Sequence, residues 1–169
     1  MWDISQIFRC YGILTIYPTW RSVMNCTFFG HGDSPLYLIG KLEKVLEELI
    51  VNENADRFYV GNHGNFDFYA YNVLKRLQKD HSHICINVVL AYMPSVKEQN
   101  NYYDHSDSIL PDSIENVPKR YAISYRNKWM IENSDCVITY VTKSSGGAAQ
   151  FAHLASKSGK MCINLAEIK

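Results

Sequence analysis

Between residues 26 and 165, short runs of β-branched and aromatic residues alternate with stretches whose apolar positions recur at helical spacing. This is the pattern of strand-helix-strand units built around a parallel sheet. Cys26-Thr27-Phe28-Phe29 reads as a first strand, ended by the turn Gly30-His31-Gly32-Asp33-Ser34-Pro35. Leu36, Ile39, Leu42, Val45, Leu46, Leu49 and Ile50 then mark the buried face of a helix, with Asp33 or Ser34 as its cap and Pro35 in its first turn. Arg57 to Gly61 is a second strand, Asn62-His63-Gly64-Asn65 a turn, and Phe66 to about Lys79 a helix burying Tyr69, Ala70, Val73, Leu74 and Leu77. Ile84 to Ala91 is nearly all apolar, as expected of a central strand buried on both sides. Pro118 opens a helix reaching about Asn133, and Cys136 to Val141 is a fourth strand. After a turn from Thr142 to Gly147, a helix runs to about Ser158 and Met161 to Leu165 closes the sheet.

Two segments break the alternation. Residues 92–117 lack a period and crowd prolines, asparagines and tyrosines, so they read as a long loop, either a lid or binding loop or a surface excursion. Residues 1–23 have an apolar patch at Gly12 to Tyr17 that Pro18 interrupts, without the basic flank of a secretory signal. They read as a weakly docked extension, or as a segment preceding a natural start at Met24, which leaves 24–169 as one domain. No run approaches the roughly 20 apolar residues that span a bilayer.

Composition narrows the function classes. Of 169 residues, 47% are hydrophobic and 20% charged, and 17 basic residues balance 17 acidic ones. A binder of nucleic acid would have to concentrate its charge locally, so that partner is disfavoured. Five scattered cysteines, Cys10, Cys26, Cys85, Cys136 and Cys162, include no C-x-x-C pair. They suit reduced, buried residues of a cytoplasmic protein and exclude a zinc ribbon.

In an open parallel sheet, ligands bind beyond the carboxyl ends of the strands. The unusual residues of this chain fall there: Gly30, His31, Gly32 and Asp33 after the first strand, Gly61, Asn62, Gly64 and Asp67 after the second, and Ser144, Ser145, Gly146 and Gly147 after the fourth. The last group precedes an Ala-rich helix and can cradle a phosphate with free N–H groups, although the same residues also serve as ordinary caps. It has neither the Lys-Ser/Thr ending of a P-loop nor the third glycine of a dinucleotide fingerprint. Arg126, followed by Asn127, is the candidate clamp for a phosphate or carboxylate, with a surface ion pair as its alternative. Asp33 and Asp67 are candidate acid and base, candidate holders of ribose hydroxyls, or helix caps. His31 with Asp33, and His81 with His83, lack a third ligand at metal-binding spacing, so no metal and no cofactor are expected.

With these residues assembled, the chain resembles the SLOG superfamily, which joins DprA to the "lonely guy" phosphoribohydrolases, and especially its small bacterial and phage YpsA-like branch. The resemblance covers about Met24 to Leu165. It is carried by residues 26–31 (Cys-Thr-Phe-Phe-Gly-His), 58–67 (Phe-Tyr-Val-Gly-Asn-His-Gly-Asn-Phe-Asp), 89–94 (Val-Leu-Ala-Tyr-Met-Pro), 120–130 (Arg-Tyr-Ala-Ile-Ser-Tyr-Arg-Asn-Lys-Trp-Met) and 146–150 (Gly-Gly-Ala-Ala-Gln). It implies an α/β, Rossmann-like three-layer domain with a five-stranded parallel sheet in the order 3-2-1-4-5, and a site for a nucleotide-derived small ligand. A homodimer is a candidate assembly, with Trp129 as an interface residue.

The chain departs from the family pattern twice. Gly32 stands where the branch usually has arginine, and His153 holds the position of the phosphoribohydrolases' catalytic glutamate. N-glycosidic cleavage passes through a cationic, sugar-like transition state that a carboxylate stabilises and a neutral imidazole does not. The expected functions are therefore, in order, a sensor or sequestering module for a nucleotide, nucleotide-sugar or ADP-ribose-like ligand, a nucleotide N-glycosidase using Asp33 or Asp67, and a DprA-like nucleic-acid binder.

Overall fold

A computed structural model describes residues 23–93 and 103–168. The apolar runs form strands β1 (Met24–Gly30), β2 (Ala55–Val60), β3 (Cys85–Val89), β4 (Ser108–Ile109), β5 (Cys136–Tyr140) and β6 (Met161–Asn164). They pair in parallel in the order β4-β3-β2-β1-β5-β6. Helices α1 (Leu38–Asn52), α2 (Asn65–Leu77), α3 (Lys119–Glu132) and α4 (Gly147–Lys157) alternate with them.

Side-chain alternation along β1 separates two cores, because successive residues of a strand point to opposite faces. Cys26 and Phe28 join the larger core, with Leu42, Leu46 and Leu49 of α1 and Tyr69, Val73 and Leu74 of α2. Phe29 faces the other way, into Met130 and Ile131 of α3 and Phe151 and Ala155 of α4. Its ring stacks on Phe151 at 5.5 Å. Two helices thus cover each face, giving a three-layer, Rossmann-like α/β fold.

The structure corrects several sequence-based expectations. The sheet has six strands rather than five, because Ser108–Ile109 adds a two-residue edge inside the segment expected to be loop. That edge pairs Val88 with Ser108 and Val89 with Ile109, and two 3-10 turns, His105–Asp107 and Ile114–Asn116, flank it. β3 is consequently next to an edge rather than central, and its first residue, Cys85, is exposed. Helix α1 begins at Leu38, so Leu36 is 71% exposed instead of buried. Neither Asp33 nor Ser34 caps it: the Ser34 hydroxyl donates to the His31 carbonyl at 2.6 Å, and the capping position is Tyr37, with no side-chain cap bond. Trp129 is half-buried, its ring edge-on to Tyr59 at 5.3 Å. Cys26 and Cys136 are buried as expected, whereas Cys85 is not. Residues 1–22 of the expected 1–23 extension and residues 94–102 of the expected loop lie outside the described residues.

The turns after β1 and β2 are fastened to each other. The Asn65 N–H donates to the Gly32 carbonyl at 2.9 Å, and a Cβ on Gly64 would stand 2.7 Å from the Gly32 Cα. Gly64 also has φ +88°, a conformation that L side chains rarely adopt. Gly64→Ala is therefore expected to cost about 1–3 kcal/mol in urea unfolding. Gly32→Ala, whose Cβ would meet nothing within 4 Å, is expected to change stability by less than about 0.5 kcal/mol.

Candidate functional site

The chain leaves β1 to one side to form β2 and later returns to β1's other side as β5, so the strand order reverses there. The helices on either side of such a reversal diverge and leave a crevice beyond the strand ends. A cavity of about 140 Å3 occupies this place. The end of β1 contributes Phe28 to Gly30, the turn after β2 contributes Gly61 and His63, and α2 contributes Asp67. Helix α3 adds Ile123, Arg126, Asn127 and Met130, and α4 adds Gly147, Ala148 and Phe151.

Arg126 lies on the face of α3 that also buries Ala122 and Met130, and only 3% of it is exposed. Its Nη1 donates to the Val89 carbonyl at 3.1 Å, while its Nε is buried without a partner. Burial pulls its pKa down, and Asp67, Tyr103 and Tyr92 oppose that shift. A guanidinium nevertheless remains protonated in proteins. Asp67, in the first turn of α2, is 8% exposed and accepts the His63 backbone N–H at 3.1 Å. Burial pushes its pKa up to about 6 against the opposing pull of Arg126 and of that hydrogen bond. His63, at the exposed rim, is pushed below its ordinary pKa by partial desolvation and by Arg126.

Gly61 makes room for this arrangement. A Cβ there would overlap Asp67 Oδ2 and stand 2.6 Å from Arg126 Nη1. Gly30 is required for packing instead, since its Cβ would overlap the Phe66 ring. Gly146 caps α4 with φ +99° and no side-chain bond, and Cβ atoms at Gly146 and Gly147 would meet nothing within 4 Å. The first N–H groups of an 11-residue helix therefore lie beside open space at the cavity, with the positive end of the helix dipole.

The chain that returns to the sheet is anchored nearby. The Tyr71 hydroxyl donates to Asp107 Oδ2 at 3.0 Å and accepts the Asp104 N–H at 2.9 Å, while Lys75 pairs with Asp107 at 3.2 Å. Burial pushes the Tyr71 phenol up to about 12. Tyr103 packs edge-on to Tyr71 at 4.9 Å, and its pKa is raised by burial and by Asp67.

Of the residues singled out in the sequence, Gly30, Gly61, Asp67, Arg126, Asn127 and Gly147 line the cavity. Gly32, Asp33, Ser144, Ser145 and Gly146 are exposed outside its wall, as is Gly64, whose backbone meets Gly32. His31 accepts the Thr142 N–H at its Nε2, 3.2 Å away, which joins the β1 turn to the end of β5. Asn62 is outside the wall, with a buried Oδ1 that has no partner. His153 faces a separate groove between α3 and α4, which Lys128 and Lys157 also line. Sequence reasoning passed over His63, Ile123 and Ala148; the position of His63 between Gly61 and Asp67 was the available signal. Among the described residues, no three His, Cys, Asp or Glu side chains are placed to hold a metal ion, and no helix is long and apolar enough to cross a membrane.

The architecture is that of a Rossmann-like domain with a cavity at its strand-order reversal that encloses Asp67 and Arg126. The solved structure of DNA processing protein A (DprA) from Streptococcus pneumoniae matches it with a TM-score of 0.59 over 84% of this chain, at 14% identity. That likeness establishes a shared fold, and this chain spans about half the length of the DprA chain. No family model matches the sequence, and no curated protein does.

The environment of Asp67 sets a pH dependence. Its folded pKa of about 6 lies above the ordinary 3.8, so its contribution to stability is full at low pH and is lost as pH rises from about 4 to about 6. Carbon-detected NMR of the Asp67 carboxyl is expected to give a midpoint near pH 6. In Arg126→Met the midpoint is expected to move higher, because the opposing positive charge is gone. An unchanged midpoint in that variant would contradict the electrostatic coupling of the two groups.

Proposed function

We propose that this protein belongs to the SLOG superfamily, in its YpsA-like branch, and binds a nucleotide-derived small ligand through its phosphate as a sensor or sequestering module. The observation that carries this reading is Arg126, a buried guanidinium with an unpartnered Nε that lines the cavity beside the first turn of α4. An unmade hydrogen bond on a buried charged group is costly, and a phosphate oxygen supplies the missing acceptor. Helix N–H groups supply the remaining donors. At about 140 Å3 the cavity is smaller than the roughly 300–1,000 Å3 of pockets that engulf a whole ligand. It suits a phosphate and part of a sugar, with the rest of the ligand at the mouth.

Hydrolysis of an N-glycosidic bond is the second reading, favoured by Asp67. A buried carboxyl with a pKa of about 6 beside the anion site is suited to general acid or base work near neutral pH. Asp33, exposed and outside the cavity wall, is not placed for that role. The name of the structurally similar DNA processing protein A points to DNA, and Lys128, His153 and Lys157 line a groove on this chain. The small-ligand reading ranks above nucleic acid because Arg126, whose Nε has no partner, lines a cavity too small for a strand. We propose further that residues 24–169 act as one domain, in the cytoplasm.

Thermal shift across mononucleotides, NAD and ADP-ribose tests the binding reading. A ligand at a hundredfold excess over its Kd is expected to stabilise the protein by about 2.7 kcal/mol. Gly147→Asp has open space for its side chain and places an acid in the first turn of a helix, so it is expected to fold while losing the shift through repulsion of the phosphate. No stabilisation by any compound in the panel would refute the reading. Free-base release that disappears in Asp67→Asn would instead favour the hydrolase, and salt-sensitive retardation of single-stranded DNA would favour nucleic acid.

A further inference from the structure

Helices α3 and α4 serve two places at once. They give Arg126 and Gly147 to the cavity, and they also border a separate groove of about 410 Å3 lined in part by Lys128, Phe151, His153, Leu154 and Lys157. Phe151 and the half-buried Leu154 supply its apolar part, whereas Lys128, His153 and Lys157 are exposed along it. Glu132 is the only acidic residue in either helix, against Lys119, Arg120, Arg126, Lys128 and Lys157. Helix α1, by contrast, intersperses Lys41 and Lys44 with Glu43, Glu47 and Glu48. Among the described residues, neither Lys128 nor Lys157 forms an ion pair. The groove thus sets cations that the chain itself leaves without counterions beside an apolar floor. Phe151 belongs to both places, since it lines the cavity as well as the groove, with its ring stacked on Phe29.

We propose that this groove docks a helix of a partner protein, apolar on one side and acidic along its margins, and that it is the face through which the domain reports its bound ligand. The reporting role rests on the small-ligand reading above, whereas the docking stands without it. An amphipathic helix laid in a groove buries apolar residues from successive turns, here against Leu154 and Phe151, while its carboxylates meet Lys128 and Lys157. Exposed charge pairs contribute little energy, but they fix orientation and turn away basic partners. Nucleic acid fits this groove less well. Phe151 is 6% exposed, too enclosed to stack on a base, and two lysines neutralise only two phosphates. A phosphate at Gly147 and a helix on Leu154 would bear on the same α4 and the same Phe151 ring, and close-packed groups transmit a displacement rather than absorb it.

Fluorescence anisotropy of the full chain with two labelled synthetic helices tests the docking. One carries leucines at i, i+3, i+4 and i+7 among glutamates, and the other has lysines in place of the glutamates. The acidic helix is expected to bind at least about tenfold more tightly than the basic one. The double variant Lys128→Glu with Lys157→Glu is expected to reverse that preference, a result that loss of structure would not produce. Equal binding of the two helices, or an acidic preference that the double variant keeps, would overturn the docking. Loss of the acidic helix in Gly147→Asp, with retention in the double variant, would overturn it by placing the helix at the cavity. Binding of neither helix would overturn it as well, and sedimentation or retardation of single-stranded DNA would then show whether a second copy or nucleic acid takes the groove. Saturating AMP is expected to change the affinity for the acidic helix at least about fivefold, with the same factor in AMP affinity when the helix is bound. AMP that binds without that change would overturn the reporting role alone. AMP that does not bind would overturn the reporting role together with the phosphate reading beneath it, and the docking would stand on the helix result.

Discussion

The buried guanidinium of Arg126 is the constraint around which the carboxyl end of the sheet is arranged. A charge taken out of water must be met by fixed partners, and the chain supplies two: the Val89 carbonyl at the end of β3 and the Asp67 carboxyl at the start of α2. Both groups crowd the same point beyond β2, and only glycine at position 61 leaves space for them. Helix α3, which crosses the sheet on one face, is thereby tied electrostatically to α2 on the other. The compensation is incomplete at Nε, and that incompleteness is what the proposed anion site rests on.

The neighbouring turns keep this arrangement in register. Gly32 and Gly64 bring the β1 and β2 turns into backbone contact, and the His31 ring accepts a backbone N–H beyond β5. Residues that looked like ligand contacts thus divide into two groups. Arg126, Asp67, Asn127, Gly61 and Gly147 stand at the cavity, whereas His31 and Gly64 serve the scaffold that holds it and Gly30 does both. This also gives Gly32 a physical context. A Cβ at Gly32 would meet nothing within 4 Å, so the position where the resembled family has arginine has open space around it.

Legibility in the sequence followed the strength of the repeating pattern. The apolar face of α2 was readable residue by residue, because Tyr69, Ala70, Val73, Leu74 and Leu77 keep helical spacing and all are buried. The start of α1 was misplaced because Asp33, Ser34 and Pro35 imitate a capping sequence while Ser34 bonds back to His31 instead. The strand Ser108–Ile109 was invisible, since two residues carry no period and are defined only by the partner they bond. In the site, Asp33 and Asp67 were equivalent as letters. Burial distinguishes them, one exposed and the other enclosed with its carboxyl shifted to about pH 6.

By itself the sequence determined the parallel α/β architecture, because hydrophobic period and turn chemistry are local properties that each segment carries with it. It also marked Arg126, Asp67, Gly61 and the start of α4 as the chemically unusual positions. Only the tertiary structure decided which of these meet, that Arg126 is buried rather than paired at the surface, and that His63 and Ile123 join them in lining the cavity. Those outcomes depend on distances between residues from three separate crossovers. Charge, burial and an unfilled hydrogen bond are properties of that assembled neighbourhood and of no single segment.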